Sequence, residues 1–251
     1  MGYQYSLLKS GNMKKILGIL AVVFLISGCN RNALFEKIGL KEKITHVIQT
    51  RNDIIYLPNT DTPFTGKYEI YYLNGQKKTV VNYQNGKKNG LTTDWYENGQ
   101  NEGETSYQDG KEDGLATRWY ENGQKKNEIN YQSGNENGLT TQWHETGKKK
   151  SETNYKDGST YGLVTEWYDN GQKESEINYL GGKENELATR WYDNGQKESE
   201  TNYKEGTRNG LATDWYDNGQ KESEINYRDG KKNGLATEWY ENGQKESETY
   251  F

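Results

Sequence analysis

Gly114-Leu-Ala-Thr-Arg-Trp-Tyr-Glu-Asn-Gly-Gln-Lys-Lys-Asn-Glu-Ile-Asn-Tyr131, then Gln132-Ser-Gly-Asn-Glu-Asn137, is one period of a sequence that repeats every 24 residues. Leu115, Thr117 and Trp119 alternate before Asn122-Gly123, and Ile129 and Tyr131 alternate after it. Period-two spacing of β-formers around an Asn-Gly signal predicts a β-hairpin. The turn length follows from side-chain faces. A two-residue Asn-Gly turn pairs Trp119 with Lys126 and puts Ile129 on the face opposite Trp119. A three-residue loop, Glu121-Asn122-Gly123 with the glycine left-handed, pairs Trp119 with Lys125 and Leu115 with Ile129. Only the second gathers Leu115, Thr117, Trp119, Ile129 and Tyr131 on one face, so the three-residue loop is expected.

The period runs far beyond this unit. Tryptophans stand at Trp95, Trp119, Trp143, Trp167, Trp191, Trp215 and Trp239, always 24 apart, with a tyrosine midway at 83, 107, 131, 155, 179, 203 and 227. A further unit opens at Gly66 with Tyr71 in the tryptophan place, and the last opens at Gly234 and stops at Phe251. That gives eight units. A lone hairpin of this length buries too little to stand, so the units must stack, each on its neighbours. The expected fold is all-β, an elongated single-sheet solenoid of antiparallel hairpins. The tryptophans form its structural aromatic row.

Composition agrees. Only 30% of residues are apolar and 27% are charged, a balance that suggests disorder, yet the chain holds 21 Tyr and 7 Trp, which disordered chains lack. The net charge of −5 arises from 37 acidic and 32 basic residues mixed along the chain. Without a basic block, nucleic acid is not an expected partner.

Met13-Lys14-Lys15 is followed by an apolar run from Ile16 to Ile26 and then by Ser27-Gly28-Cys29. The run is too short for a bilayer span, which needs about 20 residues, and reads as a secretory signal. Ile26-Ser27-Gly28-Cys29 resembles the lipobox of bacterial lipoproteins. That resemblance implies cleavage before Cys29 and its lipidation (palmitate). Residues 1–28 read as the leader, and of Met1 and Met13 the second, which opens the basic stretch, is the expected true start. Asn30, where inner-membrane lipoproteins often carry Asp, leans by the same resemblance toward the outer membrane of a two-membrane cell. Residues 29–53 lack the repeat and read as a tether. Leu34, Ile38, Ile44 and Ile48 have helical spacing there, so a short helix is expected.

Tyr107-Gln-Asp-Gly-Lys-Glu-Asp-Gly114 and its copies resemble the Tyr-x-x-Gly-x-x-x-Gly heart of MORN repeats. Trp-Tyr-Glu-Asn-Gly-Gln-Lys with a following Asn-Tyr is similar to the variant MORN repeat of bacterial proteins, a group that includes lipoproteins and the YwqK-type antitoxins. Tyr56-Leu-Pro-Asn59 and Pro63-Phe-Thr-Gly66 resemble the openings of such arrays. The resemblance covers residues 54–251. It departs at Glu186, in a glycine place, and at His144 and Thr146, in Tyr and Asn places. It implies association with protein or membrane, without catalytic residues or cofactors.

The residues point the same way. His46 and His144 are far apart in sequence, and the serines at 151, 175, 199, 223 and 247 recur without a partner base, so they read as sheet surface. Glu174 and Glu176 recur as well and are expected to pair across strands with Lys and Arg. No calcium loop is present, and no metal site is expected. The candidate binding face is a second aromatic row, Tyr96, Tyr120, Tyr168, Tyr192, Tyr216 and Tyr240, each following its tryptophan and so pointing to the other face. Among Arg118, Arg190, Asp214 and Glu238, these rings either contact a partner or simply cover the sheet.

The functional expectation is a membrane-anchored, non-catalytic scaffold at the cell envelope with a protein partner. An antitoxin or immunity role and envelope glycan binding are the alternatives. The C-terminal strand is also expected to allow weak self-association through its edge.

Overall fold

The computed structural model describes residues 42–44 and 47–251. The expected leader, Cys29 and the first part of the tether lie outside the described residues. The chain divides into two units, Met1–Glu112 and Asp113–Phe251. Every regular element among the described residues is a β-strand.

In the second unit one hairpin recurs per period. Lys111–Trp119 pairs with Lys125–Gln132, Gly162–Trp167 with Lys173–Leu180, and Thr207–Trp215 with Lys221–Arg228. The second arm of each hairpin also pairs with the first arm of the next, as in Ile177↔Ala188 and Glu200↔Thr213. The ladder therefore continues from repeat to repeat.

Two turns alternate along it. The first is the expected three-residue loop. The Gly123 N–H donates to the Tyr120 carbonyl (2.9 Å), the Tyr120 N–H donates to the Gln124 carbonyl (2.8 Å), and Gly123 has φ +85°. The second is a two-residue connection between hairpins, such as Asp229-Gly230 with φ +49° and +79°, closed by the Arg228↔Lys231 pair. Both residues are left-handed, as a type I′ turn requires.

The faces differ from the expectation. Trp119 pairs with Lys125 as foreseen, but the register then shifts, and Asn127 faces Arg118. Lys126 is a β-bulge. One extra residue sends every later side chain to the other face. Leu115 therefore opposes Asn130 rather than Ile129, and Ile129 opposes Ala116. The same shift follows each tryptophan of the unit. The single face of leucine, tryptophan, isoleucine and tyrosine is thus corrected to two. One bears Leu115, Thr117 and Trp119 with Glu128 and Asn130; the other bears Ala116 and Arg118 with Asn127, Ile129 and Tyr131.

Burial follows from these faces. Ala116 and Thr117 are both buried although they point oppositely, and Leu115 is 46% exposed. A single layer of sheet has no interior. Small side chains lie in troughs between the longer ones of adjacent strands, and no large side chain among the described residues is fully buried.

The first unit has a small core of its own. Ile48, Phe64, Tyr68 and Val81 are buried together, with Ile55, Leu57, Ile70 and Tyr83 against them. Gln49–Arg51 and Ile54–Tyr56 form a hairpin, and Glu42–Ile44 pairs with Gly66–Tyr72. The tether's expected helix is corrected over its described part: these segments are strands. Ile48 is held by contacts remote in sequence, which helical spacing does not reveal.

Candidate functional site

The tyrosine row stands at the entrance to the three-residue turns. Backbone bonds of the turn fix each tyrosine on both sides, and its side chain then reaches into the next repeat. The Tyr120 hydroxyl donates to the Trp143 carbonyl (2.8 Å), Tyr168 to Trp191 (2.7 Å), Tyr192 to Trp215 (2.8 Å) and Tyr216 to Trp239 (2.9 Å). Tyr72 does the same to Trp95 within the first unit. Tyr96 and Tyr240 occupy the same turn position. Tyr240 belongs to the last repeat and is 49% exposed.

The asparagine of each turn adds a second stitch. Asn122 Oδ1 accepts the Gln124 N–H, and its Nδ2 donates to the Glu145 carbonyl of the next turn (2.9 Å). Asn170, Asn194 and Asn218 repeat the pattern. Where the sequence departs, the stitch is kept by other atoms. His144 Nε2 lies 2.8 Å from the Trp167 carbonyl, so it carries the proton there, and Thr146 Oγ1 donates to Asp169. His144 is a structural stand-in for tyrosine.

The tryptophan row carries cations. Lys125 lies over Trp143, Lys173 over Trp191 and Lys197 over Trp215, 5.6–5.8 Å from the ring centre. The same lysines pair with Glu128, Glu176 and Glu200 three residues on, at 2.5–2.6 Å. Glu176 and its copies thus pair along their own strand and not across strands, and Glu174 makes no ion pair among the described residues. Ser151 and Ser175 are buried, not surface residues, and Ser175 donates to Glu166 (2.9 Å).

The residue in the bulge divides the repeats into two kinds. In the Gly66 and Gly114 repeats it is a lysine resting on its own tyrosine: Lys78 lies 5.7 Å from the Tyr72 ring centre, and Lys126 lies 5.6 Å from that of Tyr120. In the last four repeats it is Glu174, Glu198, Glu222 or Glu246. Tyr168, Tyr192 and Tyr216 are held above the ordinary phenol range, first by burial and then by these carboxylates. Among the described residues no group of three or more His, Cys, Asp or Glu is placed to hold a metal ion.

The architecture is a tandem array of stitched β-hairpins. The profile of the MORN repeat variant matches residues 64–85, 112–133, 136–157, 160–180, 187–205, 208–229 and 232–251, more than half of the chain. The chain belongs to the MORN repeat variant family. Between the first two matches lies the repeat from Gly90, where Asn101-Glu102-Gly103 departs from the common pattern, yet Gly90–Trp95 and Asn101–Gln108 pair in the usual register. No curated protein matches the chain. MORN repeats commonly mediate protein or membrane interactions and are generally non-catalytic.

Proposed function

We propose that the chain is a membrane-anchored, non-catalytic interaction scaffold at the bacterial envelope, with a protein as its partner. The observation that carries the reading is a leucine stripe. Leu115, Leu139, Leu163, Leu187, Leu211 and Leu235 recur once per repeat and stand 40–49% exposed. Aligned apolar groups of this kind mark contact surfaces on soluble proteins. Catalysis instead needs one constellation of tuned groups at a single place, whereas here the serines, glutamates and tyrosines recur with the repeat, and the tyrosine hydroxyls are bonded to the backbone of the next one. The anchor rests on Ile26-Ser27-Gly28-Cys29 and its likeness to a lipobox.

Two experiments test the two halves. Labelled palmitate should enter the wild type and not Cys29→Ala; a wild type without label removes the anchor. Crosslinking in intact cells followed by purification should recover a defined protein with the wild type. Replacing Leu163, Leu187 and Leu211 by serine should lose it, and undiminished recovery contradicts the stripe.

A further inference from the structure

We propose that Tyr168, Tyr192 and Tyr216 form a docking stripe for a lysine-bearing extended segment of a partner protein, one cationic side chain to each ring. This rests on the scaffold reading and names the partner's chemistry.

The array itself shows what these rings accept. Tyr72 and Tyr120 are each covered by an ammonium group of their own repeat, from Lys78 and Lys126. The last repeats carry glutamate at that same bulge, so the internal cation is absent and a carboxylate replaces it. Each ring then lies in the field of two such carboxylates. Tyr168 feels Glu174 and Glu198, Tyr192 feels Glu198 and Glu222, and Tyr216 feels Glu222 and Glu246. Asp193, Asp217 and Glu241 add to the same field.

The neighbouring glutamates behave differently. Glu176, Glu200 and Glu224 are neutralised by Lys173, Lys197 and Lys221, whereas Glu174, Glu198, Glu222 and Glu246 make no ion pair among the described residues. A π face beside unneutralised carboxylates attracts an ammonium by quadrupole and by charge.

Spacing selects the partner's conformation. Successive rings are two strands apart, about 9–10 Å. A polyproline II segment advances about 9.3 Å per three-residue turn, so a lysine at every third position meets every ring. Same-face side chains of a β-strand recur at about 6.6 Å and fall out of step.

The probe is a fluorescein-labelled peptide of Lys-Pro-Pro triplets, compared by anisotropy with an isomer whose lysines are contiguous. The target is the full chain, as wild type and as the fourfold variant Glu174→Lys, Glu198→Lys, Glu222→Lys and Glu246→Lys. That variant should fold, because Lys126 and Lys150 fill the same place in other repeats; circular dichroism checks it. The triplet peptide should bind the wild type more tightly than the isomer, weaken as salt rises, and lose about tenfold or more in affinity for the variant. Equal binding to the folded variant, or no binding to the wild type at low salt, overturns the stripe; equal binding of the two peptides overturns the register. In the cell crosslinking experiment, a variant that retains the wild-type partner sinks the stripe and leaves the scaffold reading standing. A wild type that captures nothing sinks the scaffold reading.

Discussion

Replacing Glu186 by glycine should stabilise the second unit by about 1 kcal/mol. Glu186 holds φ +65° in a place where other repeats have glycine, such as Gly162 at +76° and Gly210 at +110°. A residue with a Cβ pays about 1–2 kcal/mol in the left-handed region. The greater freedom of glycine in the unfolded chain returns about 0.5–1 kcal/mol of that. A second contribution comes from Asn178, whose Nδ2 donates to Glu186 Oε2 at 3.3 Å. The equivalent Asn82, Asn130 and Asn202 instead donate to the carbonyls of Leu91, Leu139 and Leu211 at 2.6–3.0 Å. Once freed, Asn178 can make that bond to Leu187, worth about 0.5–1 kcal/mol. Urea unfolding followed by tryptophan fluorescence should show a midpoint raised by roughly 0.5 M with an unchanged slope. Glu186→Ala, which keeps the Cβ at φ +65° but also frees Asn178, should show only the smaller, hydrogen-bond part of the gain. An unchanged or lower midpoint for the glycine variant would refute the left-handed assignment and the repeat register behind it.

Tyr192→Phe removes the donor to the Trp215 carbonyl and should cost about 0.5–1.5 kcal/mol; a loss below that in urea unfolding would mean the stitch is idle. Tyr83, Tyr155, Tyr168, Tyr179, Tyr192 and Tyr216 are all raised above the usual phenol value, with burial the largest cause. The folded state thus holds these protons more tightly. Their contribution to stability is complete below about pH 10 and is lost as pH rises through the folded values; thermal melts that stay level into stronger alkali contradict this. Gly86→Ala places a Cβ 2.3 Å from Ile54 Cγ2 at φ +75°, whereas at Gly181, φ +57°, nothing lies within 4 Å. The first should cost about 3 kcal/mol and the second about 1, so equal losses in unfolding would contradict the packing of the first unit.

The repeat, its strand content and the three-residue turn were legible because each leaves a local mark: the period of 24, the alternation and Asn-Gly. The bulge leaves none. Lys126 or Glu174 in the bulge is as polar as its neighbours, and only the register shift identifies it. Leucine reads as core and alanine as filler, yet a single layer has room to cover only the alanine, so the expected faces were wrong. The tyrosine row was found from its spacing. The destination of its hydroxyls was not, because the acceptor lies 23 residues away in the next repeat. The change from Lys126 to Glu174 was open to inspection in the sequence, but its meaning needed the lysine seen on the Tyr120 ring.

The central structural claim is the bulged register, since it decides which side chains share a face and hence which residues a partner can meet. Paired cysteines test it directly, in a chain with Cys29 replaced by serine. Leu115 lies opposite Asn130 on one face, and Ile129 lies on the other. A disulfide needs Cα atoms within about 7 Å and Cβ atoms that point together. Leu115→Cys/Asn130→Cys should therefore oxidise readily to an internal disulfide, and Leu115→Cys/Ile129→Cys should stay reduced under the same conditions. The opposite outcome, crosslinking at 115 and 129 but not at 115 and 130, would mean an unbulged hairpin with the aliphatic and aromatic rows on a single face.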